Sequence, residues 1–168
     1  REPAELEERQ EPTTLMMQNV PRCYTRDMLE NLIGNHGFGD KVDFLFLPRD
    51  FTTGDNQGYA YVNFVSLLDA ARFQDAFHGF SHWWFSWCKE VCVVERSRFE
   101  QGLRENVRRY RNSPVMHESV PDGFRPVVFA NGVRQPFPPP TRKLRPPRSK
   151  GQRLSRGGRD GEGPDLRS

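Results

Sequence analysis

The chain has 168 residues, 25 Lys plus Arg against 22 Asp plus Glu, and only 35% hydrophobic residues. That length accommodates one domain, or one small domain with tails, and so low an apolar fraction implies that part of it stays unfolded. No apolar run approaches the ~18 residues of a membrane-spanning helix, and REPAELEERQEP lacks the apolar centre of a secretory signal.

The three cysteines, Cys23, Cys88 and Cys92, are too few and odd in number for a disulfide scaffold. They suit a reducing, intracellular compartment, so the expected location is nucleus and/or cytoplasm. Charge divides the chain further. Residues 1–12 hold two arginines against five glutamates, and residues 141–168 hold nine Lys or Arg against three acidic residues with no aromatic. Both ends are expected to be disordered, since neither buries enough apolar surface to offset ordering. The basic tail reads as a solvated leftover, as a nonspecific phosphate-binding arm, or as a nuclear localisation signal in RKLRPPR.

Between these ends, Thr14 to Val20 is a short apolar run closed by Pro21, a strand signal. Thr25 is a candidate N-cap for a helix carrying Met28, Leu29, Leu32 and Ile33 on one face, with Gly34 or Gly37 as its stop. Val42 to Leu47, closed by Pro48, reads as a second strand, and Thr53-Gly54-Asp55-Asn56 as a turn. Gly58 to Phe64 alternates as a third strand. Ser66 caps a second helix that ends at Gly79, and Val91 to Val94 makes a fourth strand. The order β-α-β-β-α-β is the split β-α-β arrangement, an antiparallel sheet with two helices on one face.

Strand periodicity assigns the open face. Strand three turns Tyr59, Tyr61 and Asn63 outward, against Ala60, Val62 and Phe64 inward. Strand one turns out Met16 and Gln18. Strand two, with a local bulge, turns out Phe44 and Phe46 while burying Val42, Leu45 and Leu47. Four aromatics on a sheet surface have two explanations. Either a third helix covers them as core, or they are a platform on which single-stranded RNA stacks its bases.

Gln57-Gly-Tyr-Ala-Tyr-Val-Asn-Phe64 resembles the longer signature of the RNA recognition motif, Lys/Arg-Gly-Phe/Tyr-Gly/Ala-Phe-Val-x-Phe/Tyr, with Gln57 in place of the basic residue. Leu15 to Val20 resembles the shorter signature, with Met16 where an aromatic is usual. A closer likeness runs through Thr13 to Pro21, Tyr24-Thr25 with Met28-Leu29, Asp43 to Pro48 with Asp50-Phe51, and Asn56 to Phe64. It continues through Gln101-Gly102, Asn112-Ser113, Met116 and Arg125-Pro126. Over about residues 13–129 the chain is similar to the C-terminal RNA recognition motif of the Mei-two-like proteins, RNA-binding regulators of meiosis and development. It departs from them at Gln57, at Cys23 where the family favours Lys, and around Glu95-Arg-Ser-Arg98, where an aromatic is commoner. The resemblance implies an α+β, ferredoxin-like fold and an RNA-binding surface.

After the fourth strand, Phe99 to Arg111 reads as an added C-terminal helix with Leu103, Val107 and Tyr110 in one stripe and Arg104, Arg108, Arg109 and Arg111 elsewhere. His82-Trp-Trp-Phe-Ser-Trp87 concentrates aromatics that serve as core anchors or, where exposed, as a protein-binding hot spot. Val127 to Pro140, ending in Phe137-Pro-Pro-Pro140, reads as an extended, proline-rich exit: a spacer or a ligand for a polyproline-binding partner. The domain reading is therefore 1–12 acidic, 13–129 RNA recognition motif with helical extension, and 130–168 proline-rich, then basic.

No catalytic constellation is legible. His36, His78, His82 and His117 fall in different elements, Cys88 and Cys92 lack a second pair for zinc, and neither a nucleophile elbow nor a phosphate loop is present. The expectation is a non-catalytic protein without metal or cofactor. Its partner is single-stranded RNA, stacked on Tyr59 and Tyr61, with Phe44, Phe46 and Met16 extending the platform. Gln18 and Asn63 offer hydrogen bonds to base edges, and Arg96 and Arg98 reach phosphates. The alternative is a protein-interaction domain of the same fold, its sheet covered by the C-terminal helix or a partner peptide.

Overall fold

The computed structural model describes residues 12–148. Its elements are β1 (Thr14–Gln18), α1 (Arg26–Asn35), β2 (Val42–Phe46), β3 (Tyr59–Phe64), α2 (Leu67–Phe77), β4 (Val93–Arg96), α3 (Leu103–Arg111), β5 (Val127–Ala130) and β6 (Val133–Gln135). Both expected caps form: the Thr25 hydroxyl accepts from the Met28 amide at 3.2 Å, and the Ser66 hydroxyl from the Asp69 amide at 3.1 Å. Each satisfies an amide that the first helical turn leaves without a partner.

The strands form one antiparallel sheet in the order β4-β1-β3-β2-β5-β6. Helices α1 and α2 cover one face, packing Leu29, Ile33, Phe73 and Phe77 over Leu15, Met17, Ala60, Val62, Phe64 and Val94. The register of β2 against β3 slips between Val42 and Phe44. That bulge lets Val42 and Leu45 both face this core while Phe44 and Phe46 face the other side. Among the described residues no helix is long and apolar enough to cross a membrane.

Three elements differ from their sequence expectations. β4 starts at Val93, two residues later than the apolar run. Ahead of it, the Cys92 amide donates to Phe80 O and the Cys92 carbonyl accepts from Gly79, so these groups are occupied by the turn after α2. α3 starts at Leu103, four residues after Phe99. Gly102, with φ +87°, sets its start, and the Gln101 side chain extends back to bond both Thr14 N and Thr14 O.

The third difference is the boundary at residue 129, which cuts a hairpin in two. Ala130 pairs with Val133 across Asn131-Gly132, whose φ values of +50° and +78° are those of a type I′ turn. β5 then adds to the free edge of β2. The proline-rich stretch is not a free exit either. Arg111 donates twice to Pro139 O, and Asn112 and Thr141 exchange two hydrogen bonds. The extended exit expected of Val127 to Pro140 is instead a hairpin followed by a segment bonded to the end of α3. The acidic head up to residue 11 and the tail beyond residue 148 lie outside the described residues.

The extension is also tied to α1. The buried Arg26 guanidinium meets Asp122 at 2.9 Å, and Arg134 clamps the same carboxylate with two bonds, at 2.9 and 2.6 Å. Hydrogen bonds from Arg134, then from Arg26, hold the Asp122 carboxyl well below the usual carboxylate range.

Candidate nucleic-acid interface

Residues paired across an antiparallel ladder share a face, so the register lays out the face opposite α1 and α2 as rows. One row is Val93-Gln18-Tyr59, and the next is Glu95-Met16-Tyr61-Phe46. The third runs Thr14-Asn63-Phe44-Val128. What decides access is where α3 lies.

α3 lies over the β2 and β5 end. Val107 and Tyr110 pack on Phe44, Phe46 and Val128, joined by Val115 and Phe137. The Tyr110 ring lies 5.8 Å from Phe44, stacked, and 4.7 Å from Phe46, edge-on. Burial, against the opposing effect of nearby Arg109, pushes the Tyr110 phenol up to about 12. Phe44 is 0% and Phe46 7% exposed. Both were expected on the platform, and both are instead core beneath α3. Alternation gives their face correctly but cannot show that a later helix lands on it.

The third row is sealed as well. The Thr14 hydroxyl donates to Asn63 Oδ1 at 2.8 Å and accepts from the Gly102 amide and Asn106 Nδ2, each at 3.0 Å. Thr13 also donates to Asn63 Oδ1, and Asn63 Nδ2 donates to Asp43. Asn63 was expected to read base edges. It is 2% exposed, its amide spent on this cluster, which fastens the start of α3 to β1 and β3. Burial raises the Asp43 carboxyl and the bond from Asn63 opposes the rise.

The open part is therefore confined to β4, β1 and β3. Tyr59, Tyr61, Met16 and Gln18 lie there together, half-buried, with the tyrosine rings 5.7 Å apart and nearly perpendicular. Gln18 Nε2 lies 3.7 Å from the Met16 sulfur. Burial raises the Tyr61 phenol, Tyr59 adds to the rise, and Arg109 opposes it.

Arg96 was expected beside this platform. It pairs with Leu15, a residue of the helix-covered core, so parity starts its side chain on the other side of the sheet, yet it borders the same hollow at the β4 edge as Glu95 and Arg98. The β4 residue on the open face is Glu95. Arg98 is exposed in the loop after β4 and lines a hollow of about 590 Å3 with Glu95, Arg96, Ser97, Phe99 and Gln101.

Phe99 is the contributor that the helical stripe concealed. Its amide donates to Ser97 Oγ, which keeps it in the loop ahead of Gly102. There it is 63% exposed and edge-on to Tyr61 at 6.2 Å. The Arg109 guanidinium lies 5.4 Å from the Phe99 ring centre and 3.3 Å from Glu100, so one cation borders the aromatic corner. The arrangement offers adjacent π-faces with polar groups at the rim. Among the described residues no group of three or more His, Cys, Asp or Glu is placed to hold a metal ion.

The tryptophan loop lies on the helical side of the sheet. Trp83 is a core anchor, edge-on to Tyr24 and Phe80, with its indole N–H donated to Glu90 O. Trp84 is 81% exposed, beside a hollow lined by Met28, Leu32, His82 and Phe85.

The profile of the family RNA recognition motif 2 matches residues 12–108. Among curated relatives, the chain is 33% identical over 141 residues to meiosis protein mei2 of Schizosaccharomyces pombe, covering 79% of this chain and 18% of that protein. It is 34% identical over 131 residues to protein MEI2-like 1 of Arabidopsis thaliana, covering 75% and 14%. The chain thus spans less than a fifth of the length of either. Among solved structures, the C-terminal RNA recognition motif of hypothetical RNA-binding protein RBM19 superposes with a TM-score of 0.45 at 19% identity, covering 61% of this chain and 91% of that one.

Proposed function

The chain belongs to the RNA recognition motif 2 family, and on that premise we propose that it binds single-stranded RNA on the part of the sheet that α3 leaves open. The observation that carries the reading is the pair Tyr59 and Tyr61, two adjacent rings held on an accessible sheet face with Met16 and Gln18 beside them. Every nucleobase has a π-face, and each base–aromatic stack contributes about 1–3 kcal/mol. Phe99 supplies a third ring, and Arg98 and Arg109 supply cations at the rim. The role follows as a non-catalytic one in post-transcriptional regulation, within a domain running from about residue 13 to Thr141, which is bonded to Asn112.

The test is fluorescence anisotropy with a random single-stranded RNA pool, comparing the wild type with the Tyr59→Ala, Tyr61→Ala double variant. Loss of two stacks lowers affinity at least tenfold at moderate salt. Equal affinity in a variant that melts like the wild type would sink the reading.

A further inference from the structure

The open face carries one group that a surface for polyanions would not be expected to carry: the carboxylate of Glu95. It stands opposite Met16, in the same row as Tyr61, and is exposed. Among the described residues no cation pairs with it: the ion pairs are Arg26–Glu30, Arg26–Asp122, Lys41–Asp40, Arg109–Glu100 and Arg134–Asp122. Glu95 also shares the hollow beside β4 with the Phe99 ring and two guanidinium groups, Arg96 and Arg98, neither of them in an ion pair with it. An exposed aromatic face, an acceptor-only carboxylate and a guanidinium around one hollow are the parts of a nucleotide subsite: a ring to stack on, an edge reader and a phosphate contact.

The edge reader decides which base. An ionised carboxylate accepts hydrogen bonds and donates none, and its two oxygens accept best from two adjacent donors. On the Watson–Crick edges, guanine alone presents two adjacent donors, N1–H and the N2 amino group. Adenine sets one amino donor beside the bare N1 acceptor, and cytosine sets one beside the bare N3. Uracil flanks its single N–H with two carbonyl oxygens. For these three, a second carboxylate oxygen meets a lone pair.

From this juxtaposition we propose that Glu95 makes the hollow beside β4 a guanine-selective subsite of the RNA surface. The inference rests on the RNA-binding reading above and adds its base preference. A bidentate contact of this kind discriminates by about 10- to 100-fold against a base that cannot make it. The plainer role for Glu95 is a charge that protects the free edge of β4 from pairing with another sheet, and that role predicts no base preference.

The probe is a fluorescein-labelled single-stranded oligouridylate heptamer with guanosine, inosine, adenosine, cytidine or uridine at its centre. It is titrated against the wild type, Glu95→Gln, Glu95→Lys and the Tyr59→Ala, Tyr61→Ala variant. The expected result is guanosine tightest by about 10- to 100-fold, with inosine, which lacks the N2 amino group, losing part of that advantage. In Glu95→Gln and Glu95→Lys the five oligonucleotides come within about threefold of one another, since a single exposed side chain changes while the stacks remain. Equal wild-type affinity for guanosine and uridine, or a guanosine preference that survives in Glu95→Gln, overturns the assignment. If in addition the tyrosine variant binds every oligonucleotide as well as the wild type, the RNA reading falls too; if the tyrosine variant binds all of them weakly, only the guanine assignment falls.

Discussion

The Tyr110→Ala variant separates two meanings of α3, a fixed wall and a displaceable lid. As a wall, α3 is part of the fold, and Tyr110 fills the space between Phe44 and Phe46. Truncating a buried aromatic costs about 3–5 kcal/mol, and the half-buried position of Tyr110 puts the expectation near the lower end, about 3 kcal/mol. As a lid, α3 must lift to let RNA reach Phe44 and Phe46. Lifting re-exposes Phe44, Phe46 and Val128, at about 1.5–3 kcal/mol each, so about 5–9 kcal/mol in all. Two new base stacks would return only about 2–6 kcal/mol, and the buried bonds of Thr14 with Asn106 and Gly102 would be lost besides. The wall wins. Urea unfolding followed by tryptophan fluorescence should show a lowered midpoint with an unchanged m-value, and RNA affinity should stay within about threefold of wild type. A loss of stability under about 1 kcal/mol, accompanied by RNA binding tightened tenfold or more, would refute the reasoning.

Asn106→Ala leaves the Thr14 hydroxyl and Gly102 carbonyl short of a buried donor and should cost about 2 kcal/mol in urea unfolding. The clamp at Asp122 predicts an acid limb: because its folded pKa is depressed, its stabilisation is complete above the ordinary carboxylate range and is lost as pH falls below it. Glu30 and Asp43, raised by burial, act in the opposite sense, so the Asp122 contribution is read as wild type minus Asp122→Asn in unfolding at pH 7 and pH 3. In the tryptophan loop, Trp83→Ala should cost about 3–5 kcal/mol. Trp84→Ala should stay within about 0.5 kcal/mol of wild type and leave RNA affinity unchanged by anisotropy.

Local signals made much of this legible. Thr25 and Ser66 are caps by type and act as caps, because a capping bond depends on residues three apart and on little else. The two faces of β1 and β3 follow from period two, and even the bulge in β2 is readable from Val42 and Leu45 facing one core. What escaped depends on pieces distant in sequence. Phe44 and Phe46 look like platform residues until Tyr110, more than sixty positions later, settles on them. Asn63 looks like an edge reader until Thr13, Thr14 and Asp43 take its amide. For Arg96 the pairing decides: Glu95, opposite Met16, takes the open face, and Arg96, opposite Leu15, borders the hollow only from the β4 edge. Asn131-Gly132 between two apolar-containing runs is a hairpin dipeptide, a local signal masked by the spacer-like prolines that follow Phe137.

The same corrections change what holds RNA to this surface under the proposed reading. The chain's basic excess suggests a charge-driven binder, yet the groups around the open rows leave only a small positive balance: Glu95 and Glu100 stand against Arg96, Arg98 and Arg109, and Arg109 is paired with Glu100. Long-range attraction to phosphate is therefore weak at the platform, and the gain comes from rings and base edges, which salt screens little. α3 adds a steric limit by closing the sheet at β2, so the bases that stack are those facing Tyr59, Tyr61 and the Phe99 corner. A short footprint with little net charge must obtain selectivity from the few bases it touches. A carboxylate on the platform, costly to a nonspecific phosphate binder, is then consistent with a surface that reads bases.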